Sequence, residues 1–581
     1  MKKCPQCSRE YDLSMSFCLD DGSELLYGPG SMNERATAII HTTDAVGDAP
    51  TRAQIHTTEQ TAVLPRGAEA EPHRSFGELS ERQSLSAHRA AKPLVLISIA
   101  AVLLIAGFFG YRYFAPASKQ IESIAVMPFV NESGNADVEY LSDGMTETLI
   151  GSLSNVPNLS VKPRSTVFRY KGKETDAKTI GKEMNVQAIL NGRVVQRGDQ
   201  LTLSLELVDV EKDIVLWSQQ YVRKQSELIS LQSEIARDVA AKLKTKLSGA
   251  DAAKVEKNYT ANPEAYQLYL KGRFYWNKRT GESLRQAVEF FNQAIEKDPN
   301  YALAYSGLAE SYVLFPNYSV ALPMDCMPKA KAAAVRALEI DNSLAEAHTA
   351  LAIYLASFSW NQPAAEKEFR RAIELNPNYA SAHQQFGVEC LTATGRFDEA
   401  IAEGKRAEEL DTLSPIIGAD LANILLRARR FDEAIQQLDR VRALDPNFGV
   451  TYWYLGMAYY GKGQYSEAVA AYSKGLTLID NPWLKALLIQ SLAKAGKRDE
   501  AVKLLGELQA DSTRRYVSNS SLAIAYGSLG EKDKAFSYLD KDIAARSSRA
   551  QFFSVNPVFD DLRDDPRFAD LVRRVEAAKM D

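Results

Sequence analysis

Tyr452-Trp453-Tyr454-Leu455-Gly456-Met457-Ala458-Tyr459, followed by Gly463-Gln464-Tyr465-Ser466-Glu467-Ala468-Val469-Ala470-Ala471-Tyr472, is the stretch that decides the fold. Large and small residues recur three or four positions apart on both sides of Gly463, which is the period of two packed helices. Tyr452, Leu455, Gly456 and Tyr459 mark the first helix, and Gly456 leaves room for a partner helix to come close. Gly463 turns the chain, and Ala468 gives the second helix a small contact. Tyr472 is expected to fill the space between hairpins, and Pro482 to stop a helix near the next boundary.

The same pattern spreads outward at a fixed step. An aromatic-x-Glu-Ala signature stands at Phe397–Ala400, Phe431–Ala434 and Tyr465–Ala468, so that the alanines lie 34 residues apart. Weaker copies centre on Ala501 and Ala535, a further 33 and 34 residues on. Towards the N-terminus, Ala365, Ala330 and Ala287 precede their successors by 35, 35 and 43 residues. The earlier hairpins end in Asp298-Pro299, Asp341-Asn342, Asn376-Pro377, Asp411 or Asp445-Pro446. This period and punctuation resemble the tetratricopeptide repeat; an unrelated helical bundle would not keep so regular a step. The resemblance implies about eight hairpins over 262–549, wound into a right-handed superhelix with a concave groove. The longer step implies an insertion around Phe315-Pro316-Asn317-Tyr318 and Leu322-Pro323-Met324, and residues 550–581 read as a terminal cap. Such a groove binds peptides or protein surfaces, so protein partners are implied and a small-molecule substrate is not. Arg427, Arg429 and Arg430 are read as a charged outer face rather than a clamp for carboxylates.

Between 119 and 248 the period becomes mixed. Ser123–Val130 reads as a buried strand, and Val138–Leu153 as a helix with Leu141, Met145, Leu149 and Leu153 on one face. Leu159–Lys162 and Val167–Tyr170 read as short strands, and Ala177–Met184 as a short helix. A meander follows through Ala188–Gln196, a turn at Arg197–Gln200, the strictly alternating Leu201–Leu207, and Val215–Val222; a helix from Leu228 to Leu247 closes the unit. This order predicts an α/β domain with helices packed on a sheet. Ile124-Ala-Val-Met-Pro-Phe129, Leu141-Ser-Asp-Gly-Met-Thr-Glu-Thr-Leu149, Tyr170-Lys-Gly-Lys173, Ile189-Leu-Asn-Gly-Arg-Val194 and Leu216-Trp-Ser-Gln-Gln-Tyr221 are similar, in that order, to the TolB N-terminal-like or FlgO-like domain of bacterial envelope proteins. The resemblance implies an extracytoplasmic, non-catalytic module placed after a single membrane span and before tetratricopeptide repeats. Asp143-Gly144 and Asp209 are given turn or capping roles, since no nucleophile–base pair or phosphate loop accompanies them.

Lys92 and Arg112 bracket 19 uncharged residues. At about 1.5 Å per residue these cover about 28 Å, close to the ~30 Å hydrocarbon core of a bilayer. Residues 93–114 are therefore read as one transmembrane helix, with Tyr111, Tyr113 and Phe114 as interfacial anchors. A signal peptide would begin near residue 1, and a buried core helix would carry a polar stripe where only Ser98 interrupts. Arg82, Arg89 and Lys92 before the span, against Arg112 and Lys119 after it, lean towards a cytoplasmic N-terminus, extracytoplasmic C-terminal domains and an inner-membrane location. Residues 28–91 have no apolar period and are expected to form a disordered linker. Within it Ile40-His-Thr-Thr43 recurs as Ile55-His-Thr-Thr58. Thr37 and Thr61 each precede a branched aliphatic residue by three positions and would present docking motifs if phosphorylated. Plain linker chemistry is the simpler account. His41, His56, His73 and His88 are too scattered to form a metal site.

Five cysteines form no disulfide framework, but three crowd the N-terminus. Cys4-Pro5-Gln6-Cys7 is followed, ten residues on, by Cys18-Leu19-Asp20-Asp21-Gly22. Thiolates two residues apart can reach one ion from a tight turn, and a carboxylate can complete a zinc shell. Cys4, Cys7, Cys18 and Asp21 are thus the candidate ligands of a structural zinc, and residues 1–27 resemble a zinc ribbon. The competing reading is a degenerate knuckle that has lost its metal. So short a segment has almost no core and needs a metal to fold. No nearby histidine or glutamate is placed to use an open coordination position, so the role is structural or for docking.

A net charge of -5 over 581 residues leaves no electrostatic footprint for nucleic acid. Residues 1–27 hold only Lys2, Lys3 and Arg9 against five acidic residues. No constellation supports catalysis, so an enzyme is not expected. The chain reads as multidomain: a small zinc ribbon, a linker, one transmembrane helix, an α/β domain and an all-α superhelix. It is expected to act as a single-pass membrane scaffold or sensor binding protein partners. The alternative is a transmembrane signalling or transcription regulator acting through the zinc ribbon.

Overall fold

The computed structural model describes residues 121–243 except Glu174, residues 248–580, and three short N-terminal strands. The candidate metal ligands Cys4, Cys7, Cys18 and Asp21, the linker 28–91 and the span 93–114 lie outside the described residues. Among the described residues no helix is long and apolar enough to cross a membrane. Strand β1 (Lys2–Lys3) pairs antiparallel with both β2 (Glu10–Tyr11) and β3 (Leu26–Tyr27). In chain order Cys4 and Cys7 fall between β1 and β2, and Cys18 and Asp21 between β2 and β3.

The α/β domain carries a six-stranded mixed sheet. Its strands are β4 (Ser123–Val126), β5 (Val130–Asn131), β6 (Ser160–Val161), β7 (Ala188–Arg197), β8 (Gln200–Asp209) and β9 (Ile214–Lys224). The order is β6-β4-β7-β8-β9, with β5 also on β7. β4 runs parallel to β6 and β7, while β7, β8 and β9 form the antiparallel meander. Ser123–Val130 is not one strand: it breaks at Pro128, which has no N–H to give to a ladder, and pairing resumes at Val130. The ring of Phe129 fills the space where Gly192 of β7 has no Cβ. Along β8, Leu201, Leu203, Leu205 and Leu207 are buried and alternate with half-buried Thr202, Ser204 and Glu206. Against them pack the Glu139–Ser154 helix, through Leu141, Met145, Leu149 and Leu153, and the Leu228–Lys242 helix, through Leu231, Ile235 and Val239.

Val167–Tyr170 is helical rather than extended: Arg164–Val167 forms an α turn and Phe168–Tyr170 a 3-10 turn. Its β-branched and aromatic residues suit a strand. However, Pro163 sets the chain for a helix start, and the side chains bond to the repeats rather than to a sheet edge. Ala177–Met184 is a helix capped at the start by the Asp176 side chain on the Thr179 N–H and ended by Asn185 in the left-handed conformation. The Leu228 helix stops at Lys242, and a short helix, Gly249–Val255, leads into the repeats.

The repeats form antiparallel pairs: Pro263–Asn277 with Gly281–Lys297, Ala302–Leu314 with Pro323–Ile340, Ala345–Tyr354 with Gln362–Leu375, Ala380–Gln385 with Phe397–Leu410, Pro415–Arg427 with Phe431–Leu444, Gly449–Gly461 with Tyr465–Leu476, Pro482–Lys494 with Arg498–Ser512, and Asn519–Ser528 with Lys532–Ala544. In the third and fourth pairs the first helix continues as a π-helix, Leu355–Ser359 and Phe386–Leu391. The connection from Leu314 to Pro323 absorbs the longer step. Gly456 has no Cβ because the Tyr472 ring occupies that space. Tyr472 is 1% exposed and belongs to the second helix of the same hairpin, so it fills the inside of its own hairpin, not the gap to the next. Pro482 opens a helix instead of stopping one: Asn481 caps the Trp483 N–H at 2.9 Å, and proline in the first turn gives up only an N–H that has no helical partner.

Beyond the last hairpin, Ala550–Phe552, Pro557–Leu562 and Pro566–Met580 are helical. Phe553, Phe559 and Phe568 hold them together with ring centroids 4.9 to 6.1 Å apart. This segment folds back along the ends of the first helices. Gln490 donates to the Val558 carbonyl at 2.9 Å, Arg429 grips Asp560 with two bonds of 2.8 Å, and Lys579 reaches the Ala393 carbonyl at 2.8 Å.

Candidate binding site

The α/β domain rests on the first hairpin. Gly144 lets the Glu139–Ser154 helix approach Leu270, whose Cδ2 lies 2.9 Å from where a Cβ would stand. Beside this contact Arg273 is held between Glu147 and Glu310, each 2.7 Å away. Arg164 approaches Glu147 at 3.1 Å, and its guanidinium lies 3.6 Å from the Phe168 ring centroid. The next turn reaches much further along the array. Ser165 and Thr166 both donate to the buried carboxylate of Asp411, the latter at 2.5 Å. Arg169 donates to the carbonyls of Leu413 and Leu444 at 2.7 and 2.8 Å. Leu444 is the last residue of its helix, so Arg169 meets the negative end of a helix dipole. Burial raises the pKa of Asp411, and the two hydroxyls that bond its charged form offset part of that rise.

Between the domain, the first helices of the repeats and the C-terminal segment lies a cavity of about 1700 Å³. Its floor carries polar groups in otherwise apolar helices. Asp420 accepts from Gln384 at 2.6 Å and from the Tyr454 hydroxyl at 3.3 Å; burial pushes its pKa up to about 6. Glu389, in the second π-helix, accepts from Gln551 at 2.9 Å, and burial raises its pKa as well. Gln551 in turn accepts from Gln362 at 2.9 Å, which ties the C-terminal segment to the third hairpin. Towards the first hairpins Glu147, Glu310 and Glu346 line the cavity around Arg273, together with Arg164, Arg279, Lys254 and Lys257. Burial raises the pKa of Glu346. The site can therefore take an extended chain, with hydrogen-bonding amides in the middle and charged groups towards both ends.

The residues singled out in the sequence fall in several places. Asp143 is not a cap: it lies inside its helix and pairs with Lys171 at 2.5 Å. Asp209 holds the β8–β9 turn through the Lys212 N–H at 3.0 Å and its ammonium at 2.8 Å. The arginine cluster splits, with Arg429 and Arg430 turned to Asp560 and Glu433 while Arg427 lines the cavity. Cys326 and Cys390 are buried, and burial pushes both thiols up to about 12, which leaves them inert. Gln384, Glu389, Asp420 and Trp453 were not singled out. The available signal was the polar residue in an apolar first helix, as at Asp420 and Asn423 within Pro415–Arg427.

The fold and groove define a tetratricopeptide repeat protein, and residues 419–480 match the family model for the tetratricopeptide repeat. Residues 119–238 match the second domain of HilA/YgeH-like transcriptional regulators. Among individual proteins, a Rhizobium meliloti protein provisionally named adenylate cyclase 3 is 32% identical over 247 residues, 42% of each chain. The transcriptional regulator HilA of Salmonella typhimurium is 21% identical over 433 residues, 73% of this chain and 70% of that one. The chain thus spans less than half the length of the Rhizobium relative. The crystal structure of yeast Tom70 superimposes with a TM-score of 0.36 at 16% identity, covering 76% of this chain and 82% of that one.

Proposed function

We propose that the chain is a scaffold or sensor that holds an extended peptide segment of a partner protein in the cavity between its α/β domain and its repeats. The observation that carries this reading is that cavity: it is walled by three parts of the chain, and its floor offers amides and carboxylates rather than a reactive constellation. We read residues 93–114 as the membrane anchor, with the N-terminus cytoplasmic and the FlgO-like domain and repeats outside. A structural zinc on Cys4, Cys7, Cys18 and Asp21 would stiffen a cytoplasmic docking head. Peptides selected from a displayed library on the full-length chain should lose binding when Ser381→Trp and Gln385→Trp fill the cavity. Unchanged binding by that variant, or a selection that returns nothing, would reject the reading. A reporter fused to the C-terminus, active only outside the cytoplasm, tests the topology.

The match of residues 119–238 to a regulator domain favours a second reading, a signalling or transcription regulator. In that case the output would run through the N-terminal head. A mobility shift of DNA by the full-length chain would support it, and the three basic against five acidic residues of 1–27 argue for no shift.

A further inference from the structure

Among the described residues five arginines line the cavity without a carboxylate in ion-pair range: Arg169, which bonds two carbonyls, Arg279, 3.6 Å from the Trp276 ring centroid, and three that meet the C-terminal segment. Arg427 ends the first helix of the fifth hairpin, and Arg546 and Arg549 follow the last hairpin. Each guanidinium lies over an aromatic ring: Arg427 is 3.6 Å from the Phe552 centroid, Arg546 4.7 Å from Trp360 and Arg549 4.1 Å from Trp483. Stacking of this kind covers one face of a guanidinium and leaves its N–H edge to be satisfied in the plane. Arg273, Arg429 and Arg515 each have a carboxylate within 2.8 Å. Among the described residues none lies within ion-pair distance of Arg427, Arg546 or Arg549. Among the described residues Arg427 Nε and Arg546 Nη1 are buried with no hydrogen-bond partner, and the Arg427 head makes one bond, of 3.3 Å, to the Val388 carbonyl. Burial lowers the pKa of both Arg427 and Arg549. A half-buried cation with unfilled donors is unfavourable until an anion reaches it.

Glu389 and Asp420 act on Arg427, and Asp542 on Arg549, by charge from beyond ion-pair distance and fill none of these donors. Asp420 is engaged by Gln384 and Tyr454, and Glu389 by Gln551. Of the other acidic groups, Asp411 is bonded by Ser165 and Thr166, Asp480 pairs with Arg515, and Glu147, Glu310 and Glu346 stand around Arg273. We propose that Arg427, Arg546 and Arg549 are the anion seat of the groove, and that the ligand is an acidic peptide whose carboxylates enter it. This rests on the peptide-binding reading above and adds the chemistry of the ligand.

The test uses the full-length chain and three fluorescein-labelled decapeptides of one sequence, carrying four glutamates, four glutamines or four lysines, read by fluorescence anisotropy. The glutamate peptide should bind about tenfold tighter than the glutamine peptide, and added salt should erase the difference. Arg546→Gln with Arg549→Gln should abolish the preference and leave the glutamine peptide unaffected, while the double lysine variant should keep most of it. If the glutamine double variant does not melt cooperatively, Arg427→Gln replaces it. Within an acidic preference, amidating the peptide C-terminus separates the two sources of carboxylate: unchanged affinity assigns the contact to side chains, a loss assigns it to the terminus, and both support the seat. Equal binding of the glutamate and glutamine peptides overturns the seat but leaves peptide binding standing. Absence of binding by all three overturns both.

Discussion

Asp420 shows how a groove made from helix interiors strains its own polar residues. It is 8% exposed, and its pKa of about 6 lies above the usual ~3.9 of an unfolded aspartate. The native state therefore holds the extra proton. The stability this group contributes is complete below about pH 4 and is lost as the pH rises through about 6. Asp420→Asn keeps a partner for Gln384 and Tyr454 without the charge. It should raise stability near pH 7.5 by about 1–2 kcal/mol and flatten the dependence of urea midpoints between about pH 4 and pH 6. An unchanged pH slope would refute the assignment. Gly456 makes the opposite point, since a methyl group there must displace the Tyr472 ring. Gly456→Ala should cost about 1–3 kcal/mol in a denaturant titration. The glycine was legible in the sequence because it is small among large neighbours at helical spacing. The aspartate was not, because periodicity marks a buried face but does not tell a groove wall from a solvated one.

The turn from Arg164 to Tyr170 is the element the sequence misrepresents most. Val167, Phe168 and Tyr170 have the composition of a strand, and only the partners on distant hairpins show why the segment coils. Tertiary contacts across more than 240 positions leave no local trace, and the same limit hid the reach of the C-terminal segment. By contrast, β7 and β8 alternate along a half-covered sheet and stand almost where period two places them. The coiled turn can be tested directly. Arg169→Ala removes two charge-assisted bonds, each worth about 1.5–3 kcal/mol where well shielded. Amides of 164–170 and of the first turn of Pro415–Arg427 should then exchange hydrogen roughly tenfold faster, with β7 and β8 unaffected. Equal rates in both proteins would show that the contact does not hold the domain.

Over the whole molecule, the step of 34 residues reveals the repeats and the change of period reveals the α/β domain. What closes the groove comes from side chains that no period governs. The five cysteines provide a test that covers both ends of the chain. Cys326 and Cys390 are buried with raised pKa values and should stay silent to a thiol reagent until the protein unfolds. If zinc occupies the N-terminal knuckles, a chelator should release Cys4, Cys7 and Cys18 together with one equivalent of metal, before any reaction of the other two. Three thiols reacting without chelator, and no metal in the released fraction, would rule the zinc out. The bonds from Ser165, Thr166 and Arg169 to Asp411, Leu413 and Leu444 have a mechanical consequence too. A free solenoid of helical hairpins behaves as a spring, each pair turning a little on the next. Here the α/β domain is joined by the backbone to the first hairpin and clasped to the fourth and fifth, like a stay across a coil. The pitch of that half is fixed. Under the peptide-binding reading, an incoming segment that needs a wider pitch would first have to unfasten that stay.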